Sequence, residues 1–169
     1  MKVHFKGTRG SIPTSPTALE IREKVVAALL AARGKNLRSE GQIREFVEKQ
    51  LPFRYGSSYG GNTPCVHVET DSEDFLIFDG GSGLRSFGKE IIAQGLKEKT
   101  FHLFLSHLHY DHIQGIPFFA PAYLAGNKVI IHGGHDGIEG SLRAQMKPPF
   151  FPIPFETFSA DITFEKHSP

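Results

Sequence analysis

The sequence predicts an α/β protein, because segments with the pattern of strands alternate with segments that have the pattern of helices. Short apolar runs typical of buried strands occur at 75–78, 101–105 and 128–132. Helical stretches are predicted after such runs, at 87–96 and 138–146. The chain has 169 residues, of which 39% are hydrophobic and 22% charged, so it is long enough for one domain with a buried core.

The N-terminal third predicts one strand and a helical hairpin. The strand covers 3–6 and runs into a glycine-rich turn at 7–11. Two helices follow, each opened by a capping box in which a hydroxyl residue stands three positions before Glu or Gln: Thr17 with Glu20, and Ser39 with Gln42. We expect this hairpin, about 17–54, to be an insertion in a single domain of residues 1–169.

The remaining elements complete the alternation of strands and helices. The further predicted strands are 64–69, 75–78, 101–105, 128–132 and 162–165, and the further helices are 87–96, 113–124 and 138–146. The segment 147–154 is rich in proline and phenylalanine and is predicted to be irregular.

Composition narrows the class of protein. The formal net charge of +1 does not indicate a surface that coats nucleic acid, although a local basic patch stays possible. Cys65 is the single cysteine, which excludes an intrachain disulfide and favours a reducing, cytoplasmic compartment. The N-terminus does not resemble a signal peptide, and no run of about 18 apolar residues is present, so no membrane partner is expected.

A cluster of side chains of the metal-ligand type follows the strand at 101–105. His107, His109, Asp111 and His112 are four ligand-type side chains within six residues. Imidazole and carboxylate groups bind zinc and related transition metals. Two histidines two positions apart in an extended segment project to the same side, and the other pair can face a second position. A solvated histidine-rich loop is the alternative, but the cluster directly follows a buried strand.

This motif and its neighbours resemble the metallo-β-lactamase superfamily, whose fold is a four-layer αβ/βα sandwich. The order of motifs is similar to its phosphodiesterase branch, which includes transfer-RNA 3′-processing ribonucleases and cyclic-phosphate diesterases. The residues that carry the resemblance are Ser106-His107-Leu108-His109-Tyr110-Asp111-His112, the turn at 5–13, the loops at 59–65 and 78–83, and the segment 146–152.

The resemblance implies a metal-dependent hydrolase with two divalent ions, zinc first and Mn or Fe as alternatives. His107 and His109 would bind one ion, and Asp111 and His112 the other, with Asp111 also given a catalytic role. A hydroxide bridging the ions would be the nucleophile. Asp79 would orient a ligand, and Asn62 with Thr63 would shape the edge of the pocket.

The resemblance also implies ligands that this sequence lacks. The superfamily adds a third histidine, a bridging aspartate and a last histidine from its C-terminal half, and His167 does not match any of them by position. We therefore expect an incomplete domain with one open face, and possible homodimerisation. The proposed substrate is a small-molecule or nucleotide phosphodiester. The alternatives are hydrolysis of a lactone, thioester or lactam, or a metal-binding or interaction module without catalysis.

Other histidines and the cysteine are predicted to be structural. His132 and His135 fit a turn after a strand better than a second metal site, because no carboxylate pattern beyond Asp136 completes such a site. His102 and His67 lie within strands. Cys65 is expected to be a small buried hydrophobe.

Overall fold

The computed structural model describes residues 1–168, which form two compact units. One unit combines Met1–Thr14 with the chain from Gly61 onward, and the other is Ser15–Gly60. Pro169, the last residue of the predicted domain, lies outside the described residues. Among those residues no helix has both the length and the apolar character that crossing a membrane requires.

The larger unit contains one six-stranded mixed sheet whose strand order follows the sequence. The strands are β1 (Lys2–Gly7), β2 (Cys65–Glu69), β3 (Phe75–Phe78), β4 (Thr100–Leu105), β5 (Lys128–Gly133) and β6 (Asp161–Lys166). The pairs β1–β2 and β2–β3 are antiparallel, whereas β3 to β6 are parallel. All six predicted strands are confirmed, and most of their ends differ from the predicted ends by one residue.

The core lies on one face of this sheet. Alternate residues of the parallel strands, such as Phe101, Leu103 and Ile131, are buried there against Leu84 and Leu142. Leu84 belongs to α4 (Gly83–Ala93), and Leu142 belongs to α6 (Ile138–Gln145). Since the strands alternate, the opposite face carries the other residues of each strand.

The smaller unit consists of α1 (Ala18–Ala32), α2 (Glu40–Lys49) and the short α3 (Phe53–Gly56). Both predicted capping boxes are present at the starts of α1 and α2. The short α3 was not predicted as a separate helix. Whether this unit is an insertion in one larger domain stays a prediction.

The helix predicted at 113–124 is wrong. The structure has a single turn, α5 (Tyr110–Ile113), followed by two 3₁₀ turns, Ile116–Phe118 and Ala120–Tyr123. Pro117 and Pro121 cause this difference, because proline lacks the N–H that an α-helix interior requires. The helix predicted at 87–96 begins four residues earlier, at Gly83.

Candidate metal centre

The predicted metal ligands and Asp79, which was predicted to orient one of them, follow the carboxyl ends of two neighbouring parallel strands. Asp79 directly follows β3, and Ser106 directly follows β4. The carboxyl ends of parallel strands meet at one edge of a sheet, which is where α/β proteins usually place their sites. His107 and His109 occupy the loop after β4, and the turn of α5 carries the other two ligands.

Asp79 is the centre of a hydrogen-bond network. Its carboxylate accepts from the Ser106 backbone N–H at 2.9 Å and from the Ser106 hydroxyl at 2.8 Å. Its other oxygen lies 2.8 Å from Nδ1 of His112. Asp79 adopts φ of 62°, the left-handed region that only Gly, Asn and Asp enter readily. A strained backbone that aims a carboxylate at a histidine is typical of a functional site.

The contact with Asp79 favours one tautomer of the His112 ring. When Nδ1–H donates to the carboxylate, Nε2 keeps its lone pair and can bind a metal. That Nε2 lies 3.5 Å from Oδ2 of Asp111. The two predicted ligands of one ion therefore present their donor atoms to each other, and both side chains are largely buried.

Asp111 is held as a carboxylate by a second loop. Its Oδ2 accepts the backbone N–H of Ser11 at 2.8 Å. This hydrogen bond lowers the pKa of Asp111, and the nearby His112 and His107 lower it further. The glycine-rich turn at 7–11 thus reaches the site through its backbone, a role that the sequence did not indicate.

The other two histidines complete the cluster. The ring of His107 lies 4.5 Å from that of His109 and 4.0 Å from that of His112, measured between centroids. The Ser106 hydroxyl lies 3.1 Å from Nδ1 of His107. Ser106 thus contacts Asp79 and two of the predicted ligands, and sequence reasoning missed it although it opens the motif.

The residue types fit divalent transition metals, with three imidazoles and one carboxylate. Two donors for each ion are fewer than the three protein ligands of typical catalytic zinc sites. The four donor atoms also do not converge to within 4.8 Å of one another. In the described part of the chain, one group of three residues has ligand atoms that close together: His132, Glu165 and His167.

Glycines let the backbone pack closely behind the cluster. Gly80 N–H donates to the carbonyl of His112 at 2.7 Å, and Gly115 N–H donates to the carbonyl of Gly80 at 2.8 Å. A Cβ added to Gly81 would collide with the carbonyl of Asp111, and one added to Gly115 would collide with the carbonyl of Gly81. Gly81 in the loop after β3 and Gly115 after α5 are therefore positions that only glycine can occupy without a collision.

Asn62 and Thr63 hold the loops of the site together. The Asn62 carbonyl accepts from Thr8 and Arg9 at 3.0 and 2.9 Å. The Thr63 hydroxyl accepts from the Ser82 N–H at 2.7 Å and from the Gln114 amide at 3.0 Å. Thr63 is fully buried, so it supports the loops from behind. That these two residues shape the edge of a pocket stays a prediction.

The residues expected to be structural have identifiable surroundings. Cys65 is fully buried, and burial raises the pKa of its thiol to about 12, as expected for an inert hydrophobe. His67 packs between the rings of His4 and Phe87. An open cleft of about 500 Å³ lies beside β6, lined by Glu165, Arg143 and neighbouring residues, and the four predicted ligands do not line it.

Comparison with known proteins supports the fold and the branch. No family model matches the sequence. The chain is 30% identical to ribonuclease Z from Haloarcula marismortui over 112 residues, which cover 62% of this chain and 35% of that protein. It superposes on the crystal structure of a new diphosphatase from the PhnP family with a TM-score of 0.50 and 15% sequence identity, covering 98% of this chain and 50% of that one.

Fold and sequence together define the class: this is an α/β protein of the metallo-β-lactamase fold, as predicted. Its sequence resembles the phosphodiesterase and RNA-processing branch of proteins with this fold. The chain spans about a third of the curated relative and half of the structural neighbour.

Proposed function

We propose that this chain supplies part of the metal centre of a hydrolase that cleaves phosphodiesters. The observation that carries the proposal is the line of contacts from Asp79 through His112 to Asp111. It orients one imidazole and places an ionised carboxylate next to its free nitrogen. Arrangements of this kind precede metal binding in many metalloenzymes, because the partner of a ligand fixes its tautomer.

The proposed ligands are His107 and His109 for one ion and Asp111 and His112 for the other. Zinc suits these nitrogen and oxygen donors best, with manganese or iron as alternatives. When bound, two such ions would supply Lewis acidity to the attacked group and activate water. The chain's own contribution is to hold Nδ1–H of His112 on Asp79 and to keep Asp111 charged through the Ser11 N–H.

The phosphodiester class is supported by the relative named as a ribonuclease, since RNA is a phosphodiester polymer. A nucleotide or small-molecule diester is favoured over a long nucleic acid, because the net charge is only +1. The single, buried Cys65 fits a reducing compartment, and we propose the cytoplasm.

Metal-dependent hydrolysis of bis(4-nitrophenyl) phosphate by the purified chain tests the proposal. We expect zinc or manganese to restore activity after chelation. His107→Ala and Asp111→Ala should each lower kcat/KM by more than about 100-fold, because loss of a residue that merely orients a metal ligand already costs about 10- to 100-fold. His4→Ala is the matched control, since His4 lies on β1, pairs with Glu69 of β2 and takes no part in the site.

Two outcomes would contradict the proposal. Cleavage of lactone, thioester or lactam substrates without cleavage of the diester would overturn the substrate class. Metal binding without hydrolysis of any of these substrates would leave a non-catalytic metal-binding module as the better description.

A further inference from the structure

A second group of metal-ligand side chains lies at the ends of β5 and β6. Parallel pairing puts His132 directly opposite Glu165. The chain then holds His167 beside them, because its backbone N–H donates to the Gly133 carbonyl at 3.0 Å. The three side chains are therefore positioned by sheet hydrogen bonds, and none of them belongs to the cluster after β4.

The distances among the three donor atoms suit one transition-metal ion. Nδ1 of His132 lies 2.9 Å from Nε2 of His167 and 3.3 Å from Oε2 of Glu165, and the last two atoms are 4.0 Å apart. A point equidistant from all three lies about 2.0 Å from each, which is the length of zinc–nitrogen and zinc–oxygen bonds.

A hydrogen-bonding partner, His102, orients the His132 ring. Its Nε2 lies 2.9 Å from Nδ1 of His102, whose own Nε2 lies 3.8 Å from the carboxylate of Asp74. When Nε2–H of His132 donates to His102, Nδ1 keeps the lone pair that a metal needs. Metal-binding histidines are usually oriented by such a partner.

The electrostatic surroundings keep this imidazole neutral. His132 is buried, and burial lowers its pKa. The carboxylate of Glu165 raises this pKa, whereas the neighbouring His102 and His167 lower it further. A neutral ring is the form that binds metals. The side chains of Glu165 and His167 are about half exposed, so a cation can enter from solvent and keep water as a further ligand.

We propose that His132, Glu165 and His167 form a second, mononuclear site for a divalent transition-metal ion of the zinc class. The site is independent of His107, His109, Asp111 and His112. Bound metal joins β5, β6 and the residues after β6, and stabilises this side of the sheet. Glu165 also lines the cleft of about 500 Å³, so the ion lies next to a space open to solvent.

Zinc titration of the apo chain, followed by competition with a chromophoric chelator, tests the second site. We expect a zinc-binding event that persists in the His107→Ala/His109→Ala double variant. His167→Ala and Glu165→Gln should weaken this event by more than about 100-fold, since even the loss of a ligand's partner costs 10- to 100-fold. His102→Ala should weaken it about 10-fold, and His4→Ala should leave it unchanged.

Unchanged zinc affinity in both His167→Ala and Glu165→Gln, or loss of all binding in the His107→Ala/His109→Ala variant, would overturn the second site. The substituted side chains are half exposed, so these variants should fold, which circular dichroism checks. A measurement without variants gives the same decision: zinc should shift the NMR ring resonances of His132 and His167 and leave those of His4 in place.

Discussion

Asp79 is the residue on which the geometry of the candidate centre depends most. It enters the left-handed region of backbone conformation, accepts two hydrogen bonds from Ser106, and contacts Nδ1 of His112. Only a carboxylate can accept from all of these donors at once. An amide at the same position would turn an N–H toward His112 and favour the tautomer that cannot bind metal through Nε2.

We therefore predict that Asp79→Asn lowers zinc affinity at the His107–His112 cluster by about 10- to 100-fold while the fold is kept. Competition titration with a chelator measures the change. Asp71→Asn, in the exposed turn between β2 and β3, is the control. Equal affinities for both variants and the parent chain would remove Asp79 from the centre.

Cys65 gives a second prediction at the level of one residue. Its thiol pKa is raised from 9.0 to about 12 by burial, so the folded chain holds it neutral at pH 8. We expect Ellman's reagent to react only after denaturation. Because the unfolded thiol ionises from about pH 9 and the folded one does not, stability should fall as pH rises above 9 and level off above 12. Fast reaction of the native chain would contradict the buried position.

Among the elements, the loop after β3 and the end of α5 pack too closely for a side chain between them. Gly115 has an ordinary φ of −83°, so the requirement for glycine there is steric: a Cβ would collide with the carbonyl of Gly81. Gly140, in α6, has no neighbour within 4 Å of an added Cβ. The two glycines form a matched pair.

We predict that Gly115→Ala lowers the free energy of unfolding by about 3 kcal/mol, the cost of overpacking. Gly140→Ala should raise it by up to about 1 kcal/mol, because alanine favours a helix interior. Denaturant unfolding of both variants measures the difference. Equal stability of the two would mean that the Gly80–Gly81 loop moves away from α5.

Some helices and strands could be predicted from the sequence and others could not. Strands were predictable from apolar runs, and α1 and α2 from their capping boxes, because both signals are local. The start of α4 was missed because Thr63 and Ser82 fix it through hydrogen bonds between distant segments. Two prolines ended the helix predicted at 113–124.

The candidate sites also differ in how far the sequence predicts them. The His107–His112 motif was predictable because its ligands are contiguous. The group of His132, Glu165 and His167 was not, since it depends on the parallel register of β5 with β6, which no local pattern encodes. His132 lies in a strand as predicted, but its two ligand-type neighbours, Glu165 and His167, are distant in sequence and were not expected beside it.

At the scale of the whole molecule, the second face of the sheet is notable. Phe5, Val66, Phe78 and Phe104 pair across β1 to β4 in one continuous row. Phe5 is 71% exposed and Phe78 is 43% exposed. An apolar row of this kind usually marks a surface that another chain or segment covers.

We predict that the purified chain self-associates through this row. Sedimentation velocity should show a concentration-dependent dimer, and Phe5→Ser should weaken the dimer by about 10-fold or more, the effect of losing one buried phenylalanine. Phe150→Ser is the control, because Phe150 is equally apolar and 83% exposed at 147–154. A monomer at all concentrations would contradict the prediction.

The central claim is that the motif after β4 is a metal centre, and zinc content per chain tests it most directly. Elemental analysis after dialysis should find that the parent chain retains zinc which the His107→Ala/His109→Ala variant has lost, with the zinc at His132, Glu165 and His167 present in both. Equal zinc content in the two proteins would contradict the claim.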